Sequence, residues 1–153
     1  MSRVRTHYDE DFYAWTQAQA ALLRQAKASD LDWENLAEEI ESVGISQRNK
    51  VQSHCRRLLQ HLLKWRYQPT QRSRSWRRTI ITQRLDIATE VGDRGTLRQQ
   101  LPLLLQAAYP GARRLAETET GLPLATFPAT CPWTPAQVLD EDFWPEGDPS
   151  DGR

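Results

Sequence analysis

The apolar residues of the first part of the chain recur at helical spacing. Phe12, Trp15, Leu22 and Ala26 follow the rule of three- and four-residue steps, with one polar break. They come after an acidic stretch at 9–11, and acidic residues stabilise a helix N-terminus. The pattern predicts a first helix that begins near residue 9.

A second apolar stripe follows Asp32, a residue type that caps helix N-termini well. Gly44 comes directly after this stripe, and glycine is common just beyond a helix C-terminus. Ser46 fits the N-cap of a third helix, in which apolar residues repeat at alternating steps of four and three from 51 to 65. The sequence therefore predicts a second helix that ends at Gly44. It also predicts a separate, central third helix, because the apolar positions cover well over half of its circumference.

Two more long helices are predicted in the second half of the chain. The fourth opens at Ser73 or Ser75 and is closed by Gly92. The fifth covers about 96–121 and also ends at a glycine. Because proline disrupts the helical hydrogen-bond ladder, we expect a kink or a restart at Pro110.

The amino-acid composition changes after residue 121, because the last part of the chain holds six of the nine prolines. Thr134 with Gln137 forms a capping-box pattern around Pro135, which predicts one short helix there. Phe143 and Trp144 indicate that this tail packs on the body of the protein. The predicted fold is all-α: an antiparallel bundle of about five helices, with an irregular proline-rich C-terminal tail that carries one short helix.

The length of 153 residues predicts a single domain, 1–153. Within it we expect the bundle at about 9–121, a packed tail at 122–146 and a disordered end at 147–153. The N-terminus has no apolar run, and no stretch approaches the ~20 apolar residues that span a bilayer. Cys55 and Cys131 lie far apart and form no metal-binding or redox motif. These features predict a cytoplasmic protein with free thiols and no membrane association.

The charges are strongly segregated although the formal net charge is zero. The segment from Ser46 to Arg84 holds eleven Lys and Arg residues and no acidic residue, whereas 1–45 holds four basic and nine acidic residues. The last part, 117–153, holds one basic and eight acidic residues. Two interpretations of the basic segment stay open: it binds an external polyanion, or the fold neutralises it internally.

The external interpretation rests on cations interleaved with aromatic rings, since cations neutralise phosphates and rings stack on unpaired bases. The candidate binding residues are Lys64, Trp65, Arg66, Arg72, Arg74 and Arg78. The acidic residues near the C-terminus would then be able to lie over this basic face as a competitor for an acidic partner.

The internal interpretation rests on helical phase. Arg77 and Arg84 fall inside the apolar arc of the fourth predicted helix, where a guanidinium needs an acceptor. Glu38 and Glu41 lie beside the apolar stripe of the second predicted helix. We therefore hypothesise a structural ion network of Glu38 and Glu41 with Arg77 and Arg84.

Catalytic signals are weak. Arg56 and His61 match in form the Arg-x4–6-His motif of a superfamily of small helical RNases, but residues five apart diverge by about 140° on a straight helix. His54 and His61 lie two turns apart, about 10.5 Å along the axis, too far for two ligands of one metal. We predict no metal site and no cofactor.

Several short motifs in order along the chain carry a resemblance to a known family. They are YDEDFYAW at 8–15, NLAEEIESVG at 35–44, HLLKW at 61–65 with QP at 68–69, RSRSW at 72–76, AYP at 108–110, ETGLP at 119–123, FP at 127–128 and CP at 131–132. Over roughly 8–145 the chain resembles the bacterial family called domain of unknown function 29. The resemblance implies an all-helical fold and supplies no established activity, cofactor or catalytic residue.

The sequence as a whole favours a non-enzymatic interaction module whose biochemical activity it does not assign. Its partner would be another protein or a second copy of the chain. The alternative is a nucleic-acid-binding protein that uses the basic segment 46–84. A more specific version of this alternative is a metal-independent RNase.

Overall fold

The structure is a computed structural model that describes residues 10–25 and 33–146. Its helices are α1 Phe12–Gln25, α2 Trp33–Tyr67, α3 Arg74–Val91, α4 Thr96–Thr120 and α5 Pro135–Leu139, with 3-10 turns at Pro69–Gln71 and Leu124–Thr126. These ranges contain no strand, and the predicted all-α class is confirmed. Asp32, expected to cap a helix, and the end 147–153, expected to be disordered, lie outside the described residues.

The chain divides into two compact units. Unit 1 comprises Met1–Lys50 and Val91–Gln100, and unit 2 comprises Val51–Glu90 and Leu101–Arg153. The helices α2 and α4 each contribute residues to both units. None of the helices in the described ranges combines the length and the apolar character that a membrane crossing requires.

In unit 1 the predicted helix end at Gly44 is wrong, and so is the predicted helix start at Ser46. The helix α2 runs without interruption through both positions. Gly44 is buried against α1, and a Cβ atom added to it would lie 2.1 Å from the Thr16 hydroxyl oxygen. The glycine therefore permits a close approach of two helices, and its role depends on a distant contact rather than on a helix end.

One carboxylate in unit 1 caps two helices. Asp11 accepts a hydrogen bond from the backbone N–H of Ala14 at 3.0 Å, at the start of α1. Its other oxygen accepts from the backbone N–H of Thr96 at 2.6 Å and from the Thr96 hydroxyl at 2.7 Å, at the start of α4. Asp11 thus satisfies donors that the first turn of each helix leaves unpaired.

Unit 2 is built around the second half of α2. All eight residues from Leu58 to Trp65 are buried, which is more than two turns of helix. The buried tail residues Phe127 and Val138 belong to the same core. Polar side chains that occur among these eight positions therefore lie inside the unit, and they define the site described below.

The local helix signals of unit 2 agree with the structure. The Ser73 hydroxyl accepts a hydrogen bond from the Trp76 N–H at 3.2 Å and caps α3. Thr134 and Gln137 form the predicted capping box of α5. The exception is Pro110: the helix α4 runs through it without interruption, so the expectation of a restart there is wrong.

Candidate functional site

The fold itself engages three of the predicted binding cations. The Lys64 ammonium donates to the Glu119 carboxylate at 2.6 Å, and the Arg66 guanidinium pairs with Glu146 at 2.8 Å. Arg72 donates from Nε to the Trp65 carbonyl at 2.8 Å and from Nη2 to the Pro145 carbonyl at 3.4 Å. The ion pairs of Lys64 and Arg66 favour internal neutralisation of this part of the basic segment, and Arg72 is held by uncharged carbonyls.

The structure contradicts the role proposed for Trp65. Its side chain is fully buried, and its ring centroid lies 4.8 Å from that of Trp144 in the tail. The Arg72 guanidinium lies over the ring at 5.0 Å from its centroid. Trp65 therefore packs inside unit 2 and does not present a surface on which a nucleic-acid base stacks.

The predicted ion network also requires correction. Arg84 is buried as predicted, but it donates to the Val138 carbonyl at 2.9 Å and to the Phe143 carbonyl at 2.8 Å, both in the tail. Burial lowers the pKa of Arg84 to about 10, against the opposing charges of nearby tail carboxylates. In unit 1 the carboxylate of Glu41 pairs with Arg24. Backbone carbonyls, rather than Glu38 or Glu41, accept hydrogen bonds from Nε and Nη2 of the buried guanidinium, and its Nη1 has no hydrogen-bond partner among the described residues.

The other two residues of the network lie on helix surfaces. Glu38 is exposed on α2, and Arg77 is exposed on α3. The Arg77 guanidinium lies 5.5 Å from the ring centroid of Trp144. Arg77 thus helps to hold the tail against α3 through a cation–π contact with Trp144.

Arg74 and Arg78 differ from the other predicted binding cations because both are exposed on α3 and neither has a described ion-pair or hydrogen-bond partner for its side chain. With Arg77 they line a shallow cleft of about 500 Å³ that ends at Ile81. A second cleft of about 240 Å³ continues from Ile81 past Leu85 to acidic residues of the tail. Of the predicted binding residues, the two that are open to a partner therefore lie on the outer face of α3.

A separate polar cleft of about 510 Å³ lies in unit 2. It is lined by Ser53, His54, Arg56, Arg57, Gln60, His61, Gln83, Leu115 and Glu119, which come from α2, α3 and α4. The weak catalytic candidates Arg56 and His61 both line it. The cleft is wide enough to include both side chains although their positions diverge around α2.

The two histidines of the cleft are held by their Nδ1 atoms. His61 Nδ1 lies 2.9 Å from the Arg57 carbonyl oxygen, which only accepts, so Nδ1 carries the proton and Nε2 keeps a lone pair. His54 Nδ1 lies 2.6 Å from Gln83 Oε1, which assigns the same tautomer to His54. Burial lowers the pKa of His61 and outweighs the opposing effect of the Arg57 carbonyl. His61 is therefore neutral at pH 7, with an acceptor nitrogen.

A charged carboxylate, that of the exposed residue Glu119, also lines the cleft. Burial alone would raise the pKa of Glu119, but the hydrogen bond and charge of Lys64, with a further bond from Gln60, lower it. Lys64 occupies one carboxylate oxygen and also lies 4.5 Å from the ring centroid of Trp76. Glu119 is thus an ionised acceptor that a buried ammonium holds in place.

Two cations stand at the rim of this cleft. Arg56 and Arg57 are exposed, and no acidic partner for either guanidinium occurs in the part of the chain that the structure describes. The Arg56 stem passes close to the backbone of α4, since a Cβ added to Gly111 would lie 3.1 Å from Arg56 Cδ. The site therefore combines exposed cationic donors with a buried neutral acceptor, His61, and an exposed anionic acceptor, Glu119.

The sequence identified only part of this site. It points to His61 and Arg56 but not to Gln60, Gln83 or Glu119. Gln60 had a usable signal, because it is a polar residue within the apolar run of a central helix. Gln83 and Glu119 come from other helices, and nothing local predicts that they meet α2. Within the described ranges, no group of three His, Cys, Asp or Glu side chains is arranged to hold a metal ion.

Comparisons with known proteins agree with the fold. The chain is similar to an alpha-helical protein of unknown function from Rhodospirillum rubrum, solved by crystallography, with a TM-score of 0.67 and 24% sequence identity. The match covers 90% of this chain and 92% of that one, and at this identity it shows the fold alone. No curated protein matches the chain. A family model matches residues 7–144, and the chain therefore belongs to the family described as Domain of unknown function DUF29.

Proposed function

We propose that this protein is a non-enzymatic binding module whose polar cleft takes a small anionic molecule. One observation carries this proposal: the largely buried side chains of Gln60, His61 and Gln83 converge on an open cleft. A small number of polar groups that converge on a cleft is typical of a ligand-binding site.

The donors and acceptors of the cleft define the chemistry of the ligand. Arg56 and Arg57 offer guanidinium donors that suit a phosphate or carboxylate group. The Nε2 lone pair of His61 and the carboxylate of Glu119 accept hydrogen bonds. A matching ligand carries an anionic group at one end and hydroxyl or amine groups at the other, as many phosphorylated metabolites do.

A binding role also fits the contacts of the two histidines. A base that activates a nucleophile must lie within hydrogen-bond reach of that nucleophile. The described hydrogen bonds of His54 and His61 are made by Nδ1, to an amide oxygen and a backbone carbonyl, and Asp86 lies 4.0 Å from Nδ1 of His54. None of the described hydrogen bonds joins Nε2 of either ring to a hydroxyl or a thiol. Free thiols at Cys55 and Cys131 accord with the proposed cytoplasmic location.

The test uses inorganic phosphate as the first probe and sugar phosphates as the second, with the histidine ring signals followed by NMR. We expect saturable shifts at His54 and His61. Replacing Arg57 with Gln should weaken binding roughly tenfold, because it removes charge-assisted hydrogen bonds. The matched control is Arg114→Gln, which removes an exposed cation of α4 outside the cleft. Equal affinity in wild type and Arg57→Gln, or no saturable shift with either probe, contradicts the proposal.

A metal-independent RNase is the second candidate, because Arg56 and His61 line the same cleft. We would then expect cleavage of a single-stranded RNA in the presence of a chelator, and its loss in His61→Ala. Lack of cleavage by both proteins removes this candidate.

Nucleic-acid binding through the basic segment has less support. Of the six residues predicted to bind, Arg74 and Arg78 remain available, since the fold engages or buries the other four.

A further inference from the structure

The outer face of α3 is a narrow stripe with two kinds of side chain. Arg74, Arg78, Ile81 and Leu85 fall within about 60° of one another around the helix, at 100° per residue. Ile81 is 36% exposed and Leu85 is 52% exposed. The stripe thus presents two cations followed by two large apolar side chains, next to the acidic residues of the tail that line the second cleft.

The two cations of this stripe differ from those that form hydrogen bonds or ion pairs within the fold. Lys64, Arg66 and Arg84 have acceptors within unit 2, whereas Arg74 and Arg78 have no described side-chain partner. Large apolar side chains beside unpaired cations are typical of a surface that meets another surface rather than water alone. The partner should offer carboxylates next to apolar side chains at matching helical spacing.

The first turns of α2 have this complementary pattern. Leu36, Glu39 and Val43 also fall within about 60° on one side of that helix. Leu36 is 43% exposed and Val43 is 50% exposed. Glu39 is exposed and has no partner among the described residues, whereas Glu34 and Glu41 pair with Arg24.

The charges of the two segments are opposite and unmixed. Residues 33–45 contain four Glu and no Lys or Arg, and residues 72–84 contain five Arg and no Asp or Glu. Glu39 precedes Val43 by one turn, and Arg78 precedes Ile81 by about one turn, so a parallel pairing aligns charge with charge and apolar with apolar. The carboxylate–guanidinium contact would set the register of that pairing.

We infer that the outer face of α3 binds the first turns of α2 of a second copy of this chain. The contact is head-to-tail, because each copy uses a different face. Its attraction comes from the apolar side chains, and its register and salt dependence come from Glu39 and Arg78. This inference is independent of the polar cleft, which contains none of these residues.

A charge-swap experiment tests the inference by analytical ultracentrifugation of the full chain. Arg78→Glu and Glu39→Arg place like charges at the contact, and each variant alone should self-associate about tenfold more weakly than wild type. Mixing the two variants should restore association, because each mixed contact again joins opposite charges. The double variant Arg78→Glu/Glu39→Arg should also regain it, and high salt should weaken the wild-type complex.

Both positions are exposed, so both variants should fold, which circular dichroism would verify. Arg114→Glu reverses an exposed cation elsewhere and serves as the matched control. Three outcomes overturn the inference: a wild-type chain that stays monomeric at high concentration, single variants that associate as wild type does, or a mixture that stays as weak as its components.

Discussion

The two units satisfy their charged side chains in different ways. In unit 1, Arg24 lies at the surface and pairs with Glu34 and Glu41, while the close contact between helices is made by Gly44. In unit 2, Arg84 and Lys64 are buried, and the fold supplies each with acceptors. Removing a cation should therefore affect unit 2 far more than unit 1, because leaving a buried polar group unpaired costs more than losing a surface ion pair.

The largest effect is expected for Arg84→Met, which keeps much of the side-chain volume and removes the donors to the tail carbonyls of Val138 and Phe143. Losing two charge-assisted hydrogen bonds should lower the free energy of unfolding by about 3 kcal/mol. Urea denaturation followed by circular dichroism measures the loss, and limited proteolysis reports release of the tail. Arg78→Met, on the exposed face of α3, is the control and should change stability little. A loss below about 1 kcal/mol in Arg84→Met would contradict a structural role for the buried guanidinium.

The next effect is expected in unit 1, from Gly44→Ala. The new methyl group would meet the Thr16 hydroxyl, which is buried and donates to the Tyr13 carbonyl at 2.7 Å. Overpacking of this kind should lower the free energy of unfolding by about 2 kcal/mol. Thermal and urea unfolding measure the change, and adding Thr16→Ala should recover part of it.

Gly111→Ala is the matched control for this variant, since it also places a methyl group on a helical glycine. There the nearest atom belongs to the long Arg56 side chain, which can move aside. Alanine is also the better helix former, so Gly111→Ala should be neutral or slightly stabilising. Similar losses in Gly44→Ala and Gly111→Ala would show that unit 1 does not depend on the approach of α1 to α2.

A smaller and gradual effect is expected from pH in unit 2. Burial lowers the pKa of His61, so the unfolded chain binds a proton at a higher pH than the folded chain. As the pH falls below about 6.5, the unfolded state gains protons that the folded state resists, and stability decreases until His61 is protonated in the folded state too. Unfolding free energies between pH 5 and 7.5 should fall more steeply in wild type than in His61→Gln. Parallel curves would contradict the buried, neutral histidine.

These differences also show which features local sequence can predict. The helical period gives the all-α class, and Ser73, Thr134 and Gln137 act through contacts within four residues, so their roles follow from their neighbours. Gly44 has the same local signature as a helix-ending glycine, but its role comes from a helix that lies far away in the sequence. Local pattern therefore predicts helices more reliably than it predicts why a glycine is needed.

The functional site likewise has features that the sequence predicts and features that depend on distant contacts. Helical phase places both Arg77 and Arg84 inside the apolar arc, which is correct for Arg84 and wrong for the exposed Arg77. The acceptors of Arg84 are carbonyls 54 and 59 residues further along the chain. Every residue has a carbonyl, so sequence gives no signal for that choice, and the carboxylates of Glu38 and Glu41 looked like better partners. Similarly, His61 stands out in the sequence, whereas Gln83 and Glu119 join it only through the packing of α3 and α4.

The smallest effect is expected for Arg24→Gln in unit 1, and its contrast with Lys64→Gln in unit 2 tests the comparison most directly. Both cations donate to a glutamate, but Arg24 is exposed and Lys64 is 7% exposed. Water and salt replace a lost surface partner, so Arg24→Gln should change stability near the limit of detection and not at all in high salt. Lys64→Gln removes an ammonium that is buried inside unit 2, where salt screens its attraction to Glu119 only weakly, so its loss should persist in high salt. Urea denaturation at low and high salt measures both. Equal losses in the two variants would mean that burial does not decide how much these ion pairs contribute.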